Sequence, residues 1–197
     1  MPTPFLELLR ESFFRPRNAA RYILTLDLSR DAIVMATLLV SILTVLSQFL
    51  LFTISQSLAE GAWTVTFSMP IGDVALQFIS AYLVAQIVVM LARAVKAEVT
   101  FADSIAVYLW FNFLLVILLS ILVFAIYVLA GFGLLLVIFA LVWLPYALAV
   151  YWAELLQTKN LFLGFVVAVV AFLIASAISV VVAGIIGLPV MEIIPNV

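Results

Sequence analysis

No cysteine and no histidine occur among the 197 residues, and only 9% of them are charged. The missing cysteines exclude a disulfide framework, a thiolate nucleophile and a thiolate metal site. The missing histidines remove the commonest metal ligand and the commonest general base. No metal, no cofactor and no enzymatic activity are therefore expected. An enzyme without either residue would need a carboxylate site, and the acids here are scattered at the ends of apolar stretches. Eight Lys and Arg against ten Asp and Glu give a net charge of −2, with no basic footprint for nucleic acid. What fills the chain is apolar: 69% hydrophobic residues and a mean hydropathy of +1.42. Soluble domains carry roughly 45–50% apolar and about 25% charged residues. A soluble fold of this size could not bury so much, which excludes a cytosolic globular protein and makes the lipid bilayer the expected surroundings.

A bilayer core about 30 Å thick requires about 20 apolar helical residues. The charge-free windows supply five such spans, at residues 32–54, 74–92, 105–129, 134–152 and 161–186. Spans three and four come from one charge-free stretch, Ser104 to Ala153, divided at Ala130-Gly131-Phe132-Gly133, whose glycines suit a tight turn. Ser29, Asp73, Asp103 and Asn160 mark the starts of spans one, two, three and five. Gly187, Pro189 and Pro195 follow the last span and do not continue a helix well. With five spans, all eight basic residues fall on one side of the membrane, and Glu60, Asp73 and Glu192 lie on the other. Merging spans three and four would move Lys159 across. The segregation puts the N-terminus in the cytoplasm and the C-terminus outside. Ser57-Leu58-Ala59 resembles a cleavage site, but about 30 residues precede the apolar run, so span one reads as a retained helix.

Residues 1–30 form a cytoplasmic arm ahead of the bundle at 31–197. Phe5, Leu6, Leu9 and Phe13 recur at helical spacing, with Glu7, Arg10 and Glu11 largely opposite. Pro16 separates this segment from a second, Arg17 to Leu28. The same apolar face suits two arrangements. The arm could lie on the leaflet with Arg10, Arg15, Arg17 and Arg21 touching anionic headgroups, or it could pack against the ends of the spans.

The arm carries Phe14-Arg15-Pro16-Arg17-Asn18-Ala19-Ala20-Arg21, five helices follow without large loops, span three contains Trp110, and span four ends in Ala153-Glu154-Leu155-Leu156. This pattern, over nearly the whole chain, resembles the bacterial branch of the Yip-domain (Ypt/Rab-interacting) integral membrane proteins. The resemblance implies an all-α polytopic bundle in the bacterial inner membrane, where the outward C-terminus read from the basic residues would be periplasmic. Eukaryotic relatives bind Rab GTPases through a longer N-terminal region than the roughly 30 residues present here, so that partner is not carried over. Where a histidine-glycine pair often follows the glutamate at the end of span four, this chain has Leu156-Gln157-Thr158, which removes a titratable site.

Within the spans, Gly164, Ala168, Ala171, Ala175, Ser179, Ala183 and Gly187 form a small-residue stripe along span five. Such a stripe lets helix backbones approach closely, either within the chain or at a seam with a second copy or another membrane protein. Gln77, Ser80 and Gln86 of span two and Asn112 and Ser120 of span three read as hydrogen bonds across helices, or as a polar path for a solute. Gln77 and Gln86 are nine apart and so face opposite sides. Glu154 is expected to reach water or pair with Arg93 or Lys96. Pro145 should kink span four and leave the carbonyl of Leu141 free. Trp63, Tyr82, Tyr127, Tyr151 and Trp152 fall where interfacial belt residues do, and Trp110 and Trp143 lie deeper, in the core.

These readings converge on an all-α, five-span bundle with an amphipathic N-terminal arm. The leading expectation is a non-enzymatic accessory or scaffolding protein that associates with a membrane complex, with lipid or with itself. The alternative is a small permease or carrier for a lipid-like or neutral solute, using a cavity between spans two, three and four.

Overall fold

The computed structural model describes residues 5–58, 70–128 and 130–186. In chain order their helices are α1 (Phe5–Phe14), α2 (Pro16–Leu24), α3 (Arg30–Leu58), α4 (Pro70–Ala94), α5 (Phe101–Val128), α6 (Ala130–Leu155) and α7 (Leu161–Ile186). No strand occurs among the described residues. The last five helices are long and apolar enough to cross a membrane, in the order the charge-free windows predict. Four of the five run a few residues past the predicted limits, because helix caps sit outside the apolar stretch they close. Ser29 Oγ accepts from the Ala32 amide at 3.2 Å, and Asn160 Oδ1 from the Leu163 amide at 3.2 Å. At α5 the cap is Thr100 rather than Asp103. Its Oγ1 accepts from the Asp103 amide at 3.1 Å while Asp103 Oδ2 accepts from the Thr100 hydroxyl at 2.6 Å, a capping box closed by aspartate. Helix α4 opens with Pro70, so Asp73 sits in its first turn.

The break between spans three and four is shorter than the glycines suggest. Helix α6 already begins at Ala130. Gly133 lies in its first turns and lets the hairpin close, because a Cβ there would come within 2.9 Å of the Ile126 Cα. At the other end, α4 and α6 both reverse through Schellman motifs. The Ala97 amide donates to the Ala92 carbonyl and the Thr158 amide to the Ala153 carbonyl, each at 2.9 Å, with Lys96 (φ 60°) and Gln157 (φ 52°) in the left-handed position. Pro145 lies inside α6, on its exposed side.

Helices α4, α7, α6 and α5 follow one another around a ring, and α3 lies against α4 and α5. The core contains Val88, Val107, Leu114, Val150 and Ala168, all nearly or fully buried. Large apolar side chains such as Leu39, Met90, Phe124, Leu141 and Val181 point outward, as spans in contact with acyl chains require.

The arm packs on this bundle. Helix α2 lies against α5 and α6 and buries Ala19, Ala20 and Ile23, while α1 buries Leu8 and Ser12. Trp110 Nε1 donates to Ser12 Oγ at 2.9 Å, and Trp143 Nε1 donates to the Phe13 carbonyl at 3.0 Å. The Phe13 ring stacks on Trp143 at a centroid distance of 4.9 Å. Glu154 binds Arg17 Nε and Arg21 Nε, each at 2.9 Å, rather than Arg93 or Lys96. The reason is that α2 covers the end of α6 at which Glu154 stands.

The same cover corrects two belt assignments. Tyr151 and Trp152 are fully buried, packed edge-on to Phe111 instead of lying at an interface. The Tyr151 hydroxyl and Trp152 Nε1 have no hydrogen-bond partner. Tyr82 is half-buried against Phe78 and Phe101. Trp63 and the Tyr127 side chain lie outside the described residues.

Candidate functional site

A cleft of about 570 Å³ opens between α3, α4, α5 and α7. Helix α4 contributes Asp73, Gln77, Ser80 and Val84, one continuous helical face at steps of four, three and four. Helix α7 contributes Phe172, Ala175, Ser176, Ser179 and Ala183, again one face. Tyr108 and Asn112 come from α5, one turn apart, and Gln48 from α3. Polar groups thus converge from four helices, and Leu76, Val84, Phe172 and Val180 supply apolar wall. The volume falls within the range of roughly 300–1,000 Å³ found for small-molecule sites, which share this apolar lining with a few placed polar groups.

Some of these groups satisfy one another. Ser80 Oγ and Ser179 Oγ are 2.7 Å apart and fasten α4 to α7. Asn112 Nδ2 donates to the Tyr108 carbonyl of its own helix at 2.9 Å, not across helices. That bond leaves the carboxamide oxygen of Asn112 as an acceptor at the cleft. Asp73 belongs to neither of the two ion pairs among the described residues, both of which involve Glu154.

The site differs from the cavity expected between spans two, three and four. Span four takes no part, because α7 intervenes between α4 and α6 in the ring, and α3 and α7 complete the cleft instead. Gln77 lines the cleft. Gln86, facing the other way, lies in a separate shallow apolar groove with Phe78, Tyr82 and Phe101. Gln48, Asp73, Tyr108 and Ser176 escaped the sequence reading as site residues. The signal was present for Asp73, since positions 73, 77 and 80 share a helix face, but a lone acid at a helix start reads first as a terminal charge.

The small-residue stripe of span five faces inward. Gly164 touches α6 so closely that a Cβ there would lie 2.6 Å from the Ala149 carbonyl oxygen and from the Ala153 amide nitrogen. Ala168, Ala171, Ala175, Ser179 and Ala183 are all buried within the chain. Gly187 lies outside the described residues. Of the four arginines considered for anionic lipid, Arg17 and Arg21 are bound to Glu154. The hydrogen bond and the charge of that carboxylate raise the Arg21 guanidinium above its ordinary value. Arg10 and Arg15 remain exposed, beside Glu7 and Glu11 in a groove of the arm.

No group of three or more potential metal ligands is found among the described residues. No family model, curated protein or solved structure matches this chain.

Proposed function

We propose that this chain is a non-enzymatic membrane carrier that binds a small lipid-like molecule in the cleft between α3, α4, α5 and α7. The observation that carries the reading is the convergence of polar side chains from four helices on one 570 Å³ cavity with apolar walls. A carboxamide in hydrocarbon is costly without partners, and a head group with donors and acceptors supplies them to the half-buried Gln77. The apolar wall accommodates a chain. An accessory or scaffolding role has less support, because the stripe that argued for a partner seam is used inside the molecule.

The placement proposed is the bacterial inner membrane, with the arm in the cytoplasm and the cleft toward the periplasm. Its support is the positive-inside bias of the eight basic residues. Membership of the bacterial Yip-domain proteins is likewise proposed, on residues 14–21 and the five-span order.

The test is extraction into native nanodiscs followed by mass analysis of everything retained. The expected result is a small amphiphile held by the wild-type chain and lost in Gln77→Leu and Asn112→Leu. A stoichiometric partner protein, with no small molecule, would overturn the carrier reading in favour of an accessory role. A lone chain with nothing bound would overturn it as well.

A further inference from the structure

The charges around the cleft are of one sign. Asp73 is the acidic residue on its lining, and the lining contains no base. Nor does any base stand near Asp73 along the lining helices. On α4 the nearest is Arg93, twenty residues and about 30 Å from Asp73. On α3 it is Arg30, eighteen residues and about 27 Å from Gln48. Lys159 precedes α7, twenty-four residues before Ala183. Among the described residues, the end of α3 beyond Gln48, the first turns of α4 and the last turns of α7 therefore carry no positive side chain.

The first turn of α4 favours the Asp73 carboxylate, but among the described residues no cation pairs with it, and an opposite charge beside the apolar cavity would stabilise it further. A phosphate or carboxylate head would meet Asp73 with no cation to offset the repulsion. A bare metal ion would leave Leu76, Phe172 and Val180 without a role. An alkylammonium amphiphile meets each requirement. Its N–H groups find acceptors in the Asp73 carboxylate and the Gln77 and Asn112 carboxamide oxygens, and its chain finds the apolar wall. Resting on the carrier reading above, we infer that the cleft selects amphiphiles with a cationic amine head, through Asp73.

The test uses the full-length protein in detergent micelles, with dodecylamine, dodecanol and dodecanoate as probes and native mass spectrometry as the readout. These share a chain and differ in head charge. The expected order is amine over alcohol by about fivefold, with carboxylate weakest, as a partly exposed ion pair gives. Asp73→Asn should bring retention of the amine down to that of the alcohol. Asp73→Ser repeats the test with a side chain suited to the helix start, so a failure of one variant to fold does not leave the outcome open. Equal retention of all three probes by the wild type, or preference for the carboxylate, overturns the charge selection and leaves the cleft as a neutral site. Retention of none, with Gln77→Leu and wild type alike, overturns the cleft as a binding site altogether.

Discussion

Two glycines of α7 have opposite surroundings, and they show what a single Cβ decides in this bundle. At Gly164 an added methyl would stand 2.6 Å from backbone atoms of α6, and a backbone cannot swing aside as a side chain can. At Gly184 nothing lies within 4 Å of the same position. Gly164→Ala should therefore force α6 and α7 apart and destabilise the protein by about 2 kcal/mol, with a larger loss for Gly164→Leu. Gly184→Ala should leave stability unchanged or raise it by about 0.5–1 kcal/mol, since alanine restricts the unfolded chain more. Thermal unfolding in one detergent checks both, and equal effects of the two substitutions would contradict the close contact at Gly164. The stripe's spacing was legible in the sequence. Its direction was not, because a helix of small residues looks the same whether its neighbour belongs to the same chain or another.

Among the elements, the arm is the clearest case of information that only tertiary contact supplies. The two segments and the proline between them were readable from periodicity and composition. The choice between leaflet and bundle was not, since it depends on Trp110, Trp143 and Glu154, which lie 98, 130 and 133 residues from their partners. Tyr151 and Trp152 were misplaced for the same reason: position near the end of a span does not say what covers it. The docking makes a prediction about protection. Trypsin should cut after Arg10 and Arg17 slowly in the wild type and several-fold faster in Glu154→Gln or Trp143→Phe, where a charge partner or a donor is lost. Unchanged cleavage in both variants would mean that neither contact holds the arm. The pH dependence has a definite sign. Because the Glu154 carboxylate holds the Arg21 guanidinium above its ordinary value in the folded protein, its stabilising effect is complete at neutral pH and is lost only at strongly alkaline pH. Arm protection should thus stay constant between about pH 6 and pH 10, and fall instead with added salt.

On the scale of the whole molecule, the span count was the most legible feature, because charge-free windows and bilayer thickness constrain each other strictly. The cleft was less so. It forms from faces of helices that are neighbours in the ring but not in sequence, and only the α4 face was visible as a run of polar positions. The opposite ends of the molecule differ sharply in charge, and this makes orientation testable. A reporter active only in the cytoplasm should be silent when fused after Val197 and active when fused to the N-terminus. Activity at both ends would require an even number of spans.

The arm's contacts also have a consequence in time. The N-terminal helices leave the ribosome first, yet Glu154 is synthesised 133 residues after Arg21. At about 5–20 residues per second the delay is about 7–27 s. Throughout that interval Leu8, Ala19, Ala20 and Ile23 have no bundle to cover them, and the membrane surface is the apolar phase within reach. The arm is then expected to rest on the leaflet first and to close on α5 and α6 only once those spans are in place.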